Sequence, residues 1–310
     1  MNTDAIVVIE GLEKRYRDAI ALDGIDLRVP RGSVFGYLGP NGAGKTTTIR
    51  LMVGLQRPTR GTVTVLGAPV HPDAEILERI GALVERPAFY PFLSARENLV
   101  ALGLARGMGR RRAREAADGL LDMTGMAGAA RRRVGGFSTG MRQRLGIASA
   151  LLGHPDLVVL DEPTAGLDPE GVIAVRELIA RLAAEGTTVF LSTHQLSEAE
   201  QLCTDVAILV AGRIRVSGPV AELTAARPRV RLRFGSERER DRATEQLRKV
   251  GMSPLEDSPT SCVLDGAADG SAAIAALAAV EIYPLEVATS RVSLEDAYLD
   301  VATAEPGLSA

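Results

Sequence analysis

The sequence predicts an α/β domain over residues 1–218, followed by a small α+β domain over residues 219–310. Three observations carry that reading. From about Ile6 to Gly218, short apolar runs alternate with longer helix-like segments. Three of those runs, Val34–Leu38, Leu157–Leu160 and Val189–Ser192, lack polar alternation, as strands buried on both faces of a parallel sheet do. After Gly218-Pro219 the pattern changes, and Arg229-Val-Arg-Leu-Arg-Phe234 alternates strictly, with Val230, Leu232 and Phe234 on one strand face and the arginines on the other. The 310 residues suit two domains of roughly 100–200 residues, and 46% hydrophobic content supplies a sizeable core.

Charge narrows the function. The 36 basic and 39 acidic side chains leave a net charge of −3, against the basic excess a dedicated nucleic-acid binder needs, so no nucleic-acid partner is expected. Only Lys14, Lys45 and Lys249 are lysine; every other basic residue is arginine. Met1 to Glu10 carries Asp4 and no basic segment, so no signal peptide is expected. The weakly polar stretches Ala272–Val280 and Val206–Ala211 fall far short of the ~20 residues that cross a bilayer. A cytosolic chain that is not itself a channel follows. Cys203 and Cys262 read as buried thiols.

The first strand run, Val34–Leu38, leads into Gly39-Pro40-Asn41-Gly42-Ala43-Gly44-Lys45-Thr46, which fits G-x-x-x-x-G-K-[ST] and precedes an apolar helix pattern of Ile49, Leu51, Met52 and Leu55. Glycines let such a loop curl so that successive N–H groups point inward, and the helix N-terminus adds positive potential. Lys45 then reaches β and γ phosphates, and Thr46 can ligate Mg²⁺. Between about residues 87 and 153 an inserted helical subdomain is expected. It is rich in arginine (Arg106, Arg110, Arg111, Arg112, Arg114, Arg131, Arg132, Arg133), read as solvated helix faces. The second run ends in Asp161-Glu162, where one carboxylate can hold Mg²⁺, usually through water, while its neighbour polarises the attacking water. The third ends in Ser192-Thr193-His194, which puts His194 at a strand end beside the same site. His71 and His154 have no such placement and read as structural.

In the C-terminal part, a helix over Glu237–Val250, a strand near Cys262–Leu264, a helix over Ala272–Val280 and a strand near Leu285–Ala288 complete a split-βαβ pattern. Ser293-Leu-Glu-Asp-Ala-Tyr-Leu299 begins with a helix cap and sets Leu294, Ala297 and Tyr298 on one stripe that docks onto the body.

Several phosphate-loop enzymes share these parts. A guanine-reading Asn-Lys-x-Asp tetrad is absent, since Lys14 follows Glu13 and Lys249 follows Arg248. Phe137-Ser138-Thr139-Gly140-Met141-Arg-Gln-Arg144 opens an apolar helix pattern and offers a second anion cradle ahead of Asp161. The order of Tyr16, the Gly39–Thr46 loop, Ser138-Thr-Gly140, Asp161-Glu162, Asp168 and His194 resembles the nucleotide-binding subunit of an ABC transporter over about the first 220 residues. The resemblance implies a P-loop ATPase core that binds ATP and Mg²⁺. By it, Tyr16 stacks on adenine, Lys45, Thr46 and the neighbouring Thr47 meet phosphates and metal, Glu162 is the general base, and His194 contacts the γ phosphate. It also implies a head-to-tail homodimer in which Ser138 and Gly140 complete the partner chain's site and Asp168 lies near the partner's loop.

Two departures mark a subgroup. Glu85 stands where the family usually has glutamine, and an anion there would either ligate Mg²⁺ or tune coupling to the membrane subunit. The signature reads Phe-Ser-Thr-Gly-Met in place of Leu-Ser-Gly-Gly-Gln. Together with the segment from Arg86 to Leu99 and the Ser-Leu-Glu-Asp tail, it resembles cassettes of daunorubicin- and bacitracin-type exporters. That implies a separate transmembrane permease docking near Phe89, Tyr90 and Phe92 at the cytoplasmic side of the membrane, and drug or antibiotic efflux. Two rivals are a soluble, non-transport ABC ATPase and a switch governed by a C-terminal binding module.

Overall fold

The computed structural model describes residues 5–17, 19–85, 87–224, 229–265, 270–290 and 293–303; Arg86, at the head of the aromatic segment, lies outside them. Two compact units result, Met1–Pro219 and Val220–Ala310.

The first unit runs β1 (Ala5–Tyr16), β2 (Ala19–Pro30), β3 (Val34–Leu38), α1 (Lys45–Met52), β4 (Arg60–Val65), β5 (Ala68–Pro69), β6 (Ile80–Leu83), α2 (Ala95–Ala105), α3 (Arg110–Met123), α4 (Thr139–Ala150), β7 (Leu157–Asp161), α5 (Pro169–Ala184), β8 (Thr188–Thr193), α6 (Leu196–Leu202), β9 (Asp205–Val210) and β10 (Arg213–Pro219). Its larger sheet has the order β10-β9-β3-β8-β7-β6, parallel except for β10. The three unbroken apolar runs are its central strands β3, β7 and β8, and every residue in them is buried. Leu38 pairs with Thr193 and Asp161 with Ser192, so the carboxyl ends of all three strands lie abreast.

A second, four-stranded antiparallel sheet, β2-β1-β4-β5, packs in the same core. The unbroken-run criterion did not single it out, because its strands alternate: Leu22, Ile25, Leu27 and Val29 of β2 face inward. Phe35 and Phe190 stack at 5.7 Å beside Tyr37, and burying each such ring contributes about 2–3 kcal/mol. Burial pushes the Tyr37 phenol far up, and its hydroxyl meets Thr48 Oγ1 at 3.2 Å, fastening α1 to β3. The predicted apolar face of α1 holds through Met52 but not at Leu55, which is exposed. Gly54, at φ +73°, closes the helix: its N–H bonds Leu51 O while that of Leu55 reaches Arg50 O.

The helical subdomain holds α2, α3 and α4. A Ser94–Glu97 capping box starts α2, and Arg96 pairs with Asp118 of α3. Arg110, Arg111, Arg112, Arg114 and Arg131–Arg133 are exposed, as a solvated face requires. Arg106 differs, since its guanidinium donates to the carbonyls of Ile80 and Leu152.

The second unit contains α7 (Val220–Thr224), β11 (Arg229–Arg233), α8 (Glu237–Lys249), β12 (Pro254–Ser258), β13 (Ser261–Asp265), α9 (Ser271–Ala278), β14 (Glu286–Ser290) and α10 (Leu294–Thr303). Its antiparallel sheet, ordered β12-β13-β11-β14, is a split βαβ. The sequence reading lacked β12, whose Pro254-Leu-Glu-Asp-Ser composition signals a turn; the proline is tolerated as the first residue of an edge strand. Val230, Leu232 and Phe234 meet Ala243, Leu247, Leu264 and Leu277 in the core. Ser293 caps α10, and Leu294 is buried. Cys203 and Cys262 are free and buried, and burial pushes the Cys203 thiol up to about 12.

Candidate active site

The loop between β3 and α1 is shaped by two glycines. A Cβ on Gly39 would lie 2.3 Å from the Leu209 carbonyl oxygen, and one on Gly44, at φ +112°, 2.6 Å from that of Ala21. Neither position admits a side chain. Gly44 caps α1, and the first turn of that helix carries no acidic residue, so nothing within the turn itself offsets the positive potential of its N–H groups. The loop lines a cleft with Pro40, Asn41, Gly42, Gly44, Lys45, Thr46, Thr47 and Glu162, together with Ala21 of β2. Ala43 is buried beneath, its carbonyl accepting from Gly212 N–H at 3.1 Å.

Lys45 is 6% exposed. Its ammonium donates to Gly39 O at 2.7 Å and Pro40 O at 3.3 Å, and lies 3.7 Å from Glu162 Oε1. A buried cation met chiefly by neutral carbonyls is a fit for phosphate oxygens, which would complete its charge compensation. Thr46 Oγ1 donates to Asp161 Oδ2 at 2.9 Å, while Asp161 Oδ1 accepts from Ser192 Oγ. This pair offers only hard oxygens, a donor set that suits Mg²⁺ held directly or through water.

Glu162 occupies the left-handed region at φ +47°, which costs about 1–3 kcal/mol for a non-glycine residue. Three contacts hold it there. Its N–H reaches Ser192 O at 3.2 Å and Ser192 Oγ at 3.0 Å, and Gln143 Nε2 donates to its carbonyl at 3.4 Å. The turn aims its carboxylate at Lys45 on one side and at His194 Nδ1, 3.2 Å away, on the other.

The remaining predicted residues stand apart from this cluster. Tyr16 ends β1, 40% exposed, with its hydroxyl bonded to Gln56 Oε1 and the Lys14 ammonium 5.1 Å from its ring centroid. Ser138 is exposed and caps α4, accepting from Met141 N–H at 3.2 Å; Gly140 follows in the first turn. Asp168 is exposed and caps α5 through Gly171 N–H at 2.9 Å. Glu85 stands apart too: its carboxylate is met by the Arg50 guanidinium of α1, and among the described residues no contact joins it to the Thr46–Asp161 pair.

The family pattern described as ABC transporter matches residues 22–165. The chain is 44% identical over 223 residues to a daunorubicin resistance ATP-binding protein of Streptomyces coeruleorubidus, covering 72% of this chain and 71% of that one. It is 44% identical to a bacitracin transport ATP-binding protein of Bacillus licheniformis, covering 67% and 68%. With a daunorubicin/doxorubicin resistance ATP-binding protein of Streptomyces peucetius it shares 38% identity across 96% of this chain and 93% of the relative. The chain belongs to the ATP-binding subunits of ABC transporters. Among solved structures, an ATP-binding subunit of an ABC transporter superposes with a TM-score of 0.64 at 30% identity, covering 70% of this chain and 91% of the other. A dimeric ATP-binding cassette bound to ADP and Pi does so with 0.64 at 25%, covering 69% and 98%.

Within this ABC subunit, sequence reasoning left out Ser192, Gln143 and Lys14 as site residues. Ser192 lay within the Ser-Thr-His run and Gln143 within the signature segment, but the contacts they make depend on strand register and helix rotation, which no short motif encodes.

Proposed function

We propose that this subunit hydrolyses ATP at the Lys45–Glu162–His194 cluster and powers export through a separate permease. The supporting observation is the carboxylate of Glu162, held between an ammonium and an imidazole beside the Thr46–Asp161 pair. Lys45 and the N–H groups at the start of α1 bind the β and γ phosphates. Thr46 and Asp161 would hold Mg²⁺, which neutralises phosphate oxygens and the charge that develops on them. Glu162 accepts a proton from the attacking water as its oxygen bonds to the γ phosphorus and the bond to the ADP oxygen breaks. His194 orients Glu162 through Nδ1 and presents its other ring nitrogen toward the phosphates. Tyr16 carries adenine on the ring face opposite Lys14.

One chain has one signature, and Ser138, Gly140 and Asp168 lie at exposed helix starts apart from its own loop. They complete the site of a second copy in a head-to-tail dimer that closes on ATP. The permease docks at Tyr90 and Phe92, 57% and 65% exposed with ring centroids 5.7 Å apart, beside half-buried Phe89. Buried Asn98 stiffens that segment by bonding the Tyr90 backbone at both N–H and carbonyl, 2.8 and 3.1 Å. Glu85 acts through Arg50 on coupling, and the subunit works peripherally at the cytoplasmic face of the membrane. The names of the relatives point to drug or antibiotic cargo. Glu162→Gln tests the reading: ATP binding should persist while hydrolysis stalls and an ATP-bound dimer accumulates. Normal turnover would remove Glu162 from the base role.

A further inference from the structure

One buried carboxylate takes part in none of these steps. Glu198, on α6, is 3% exposed. Its Oε2 accepts from Thr164 Oγ1 at 2.9 Å and from Thr193 Oγ1 at 3.3 Å, while Oε1 lies 3.9 Å from Arg176 Nε. A carboxylate this deep is tolerated only when hydrogen bonds and nearby positive charge offset its desolvation. The two hydroxyls come from the two loops that carry the reacting side chains. Thr164 stands two residues after Glu162, and Thr193 immediately precedes His194. Thr193 Oγ1 also accepts from Gln195 N–H at 3.0 Å, so one hydroxyl grips the chain on both sides of His194.

These contacts close a ring. On the cleft side, Glu162 meets His194 at 3.2 Å; on the core side, their loops meet again at a single oxygen of Glu198. We infer that Glu198 is a positioning residue for hydrolysis, bracketing the Glu162 and His194 loops so that base and imidazole keep their separation. The inference rests on Glu162 acting as the base. The contacts of Glu198 run to Thr164, Thr193 and Arg176, and among the described residues none reaches the Lys45 loop, so its loss should act on turnover and leave nucleotide affinity nearly unchanged.

The test uses the full chain and steady-state ATP turnover. Glu198→Ala should lower kcat by about tenfold or more, since small misplacement of reacting groups is costly, while KM for ATP moves less than about threefold. Glu198→Gln, whose carbonyl oxygen accepts both hydroxyls, should return kcat to within about threefold of the parent. Thr193→Val, close to isosteric, removes both the Glu198 bond and the acceptor for Gln195 N–H, so it should lower kcat by about tenfold in the parent and by less in the Glu198→Ala background, where one of those two contacts is already gone. Should Glu198→Ala not fold, Thr193→Val alone decides. A parent-like kcat in Glu198→Ala or Thr193→Val, a loss that Glu198→Gln does not recover, or a KM that rises in step with the fall in kcat would each overturn the bracket. Glu162→Gln in the same assay separates the two ideas: turnover there sinks the base assignment whatever Glu198 does.

Discussion

The two compact units treat charge in opposite ways. In the first, Lys45, Asp161 and Glu198 are all buried, and the first two converge with Glu162 where β3, β7 and β8 end. In the second, the sheet's charges face outward in matched pairs: Arg231 with Asp257 at 2.9 Å and Arg233 with Glu286 at 2.8 Å. Its one buried charge among the described residues, Arg240, is met by Asp241 at 2.8 Å on the same helix. Burying a charge costs free energy that packing alone does not return, whereas an exposed pair is nearly neutral. The concentration of buried charge therefore separates the first unit from the second.

The largest expected consequence lies at the converging charges. Glu162→Gln should lower kcat by about 10²–10⁴ with ATP affinity retained, read by single-turnover hydrolysis and nucleotide titration. Loss in both would make Glu162 a binding group. Lys45→Ala should weaken ATP binding by about 10–100-fold, as loss of a charged hydrogen-bond donor does, measured by equilibrium titration. Glu85→Gln should leave basal ATPase within about twofold, because Arg50 and not the metal pair holds Glu85, while stimulation by the permease changes. Equal stimulation in reconstituted membranes would sink the coupling role. Removing residues 220–310 should leave ATP turnover within about twofold, as expected if each unit folds on its own core. A collapse of turnover would place the second unit inside the motor. The smallest effect should come from Arg231→Ala, which leaves a half-exposed Asp257 and costs less than about 1 kcal/mol in denaturant unfolding.

Much of this division was legible in the chain. Apolar runs without alternation marked β3, β7 and β8, since only strands covered on both faces tolerate them. The residues just past their ends then named the cluster: Lys45 and Thr46, Asp161 and Glu162, His194. Glu198 was not legible, because a glutamate on a short helix reads as solvent-facing until Thr164 and Thr193 are brought to it by parallel pairing of β7 with β8. Glu85 illustrates the converse. Its position invited a metal role, but Arg50, 35 residues away in sequence and adjacent in space, pairs with the carboxylate. Side-chain competition of this kind has no signature in spacing.

The scarcity of lysine leaves the protein with three side-chain amines, each in a different setting. Arginine is inert to amine-directed acylation, so among the side chains a light acetylation read by mass spectrometry reports on these three positions. Lys249, 63% exposed in the second unit, should react first and calibrate the dose. Lys45, held on Gly39 O and Pro40 O, should stay dark. Lys14, whose ammonium bonds Arg57 O at 2.7 Å over the Tyr16 ring, sits between those extremes. With adenine on the opposite face of that ring its labelling should hold nearly constant on ATP binding, whereas adenine on the lysine's own face would displace the ammonium and change it, which turns a compositional bias into a report on the face the base takes.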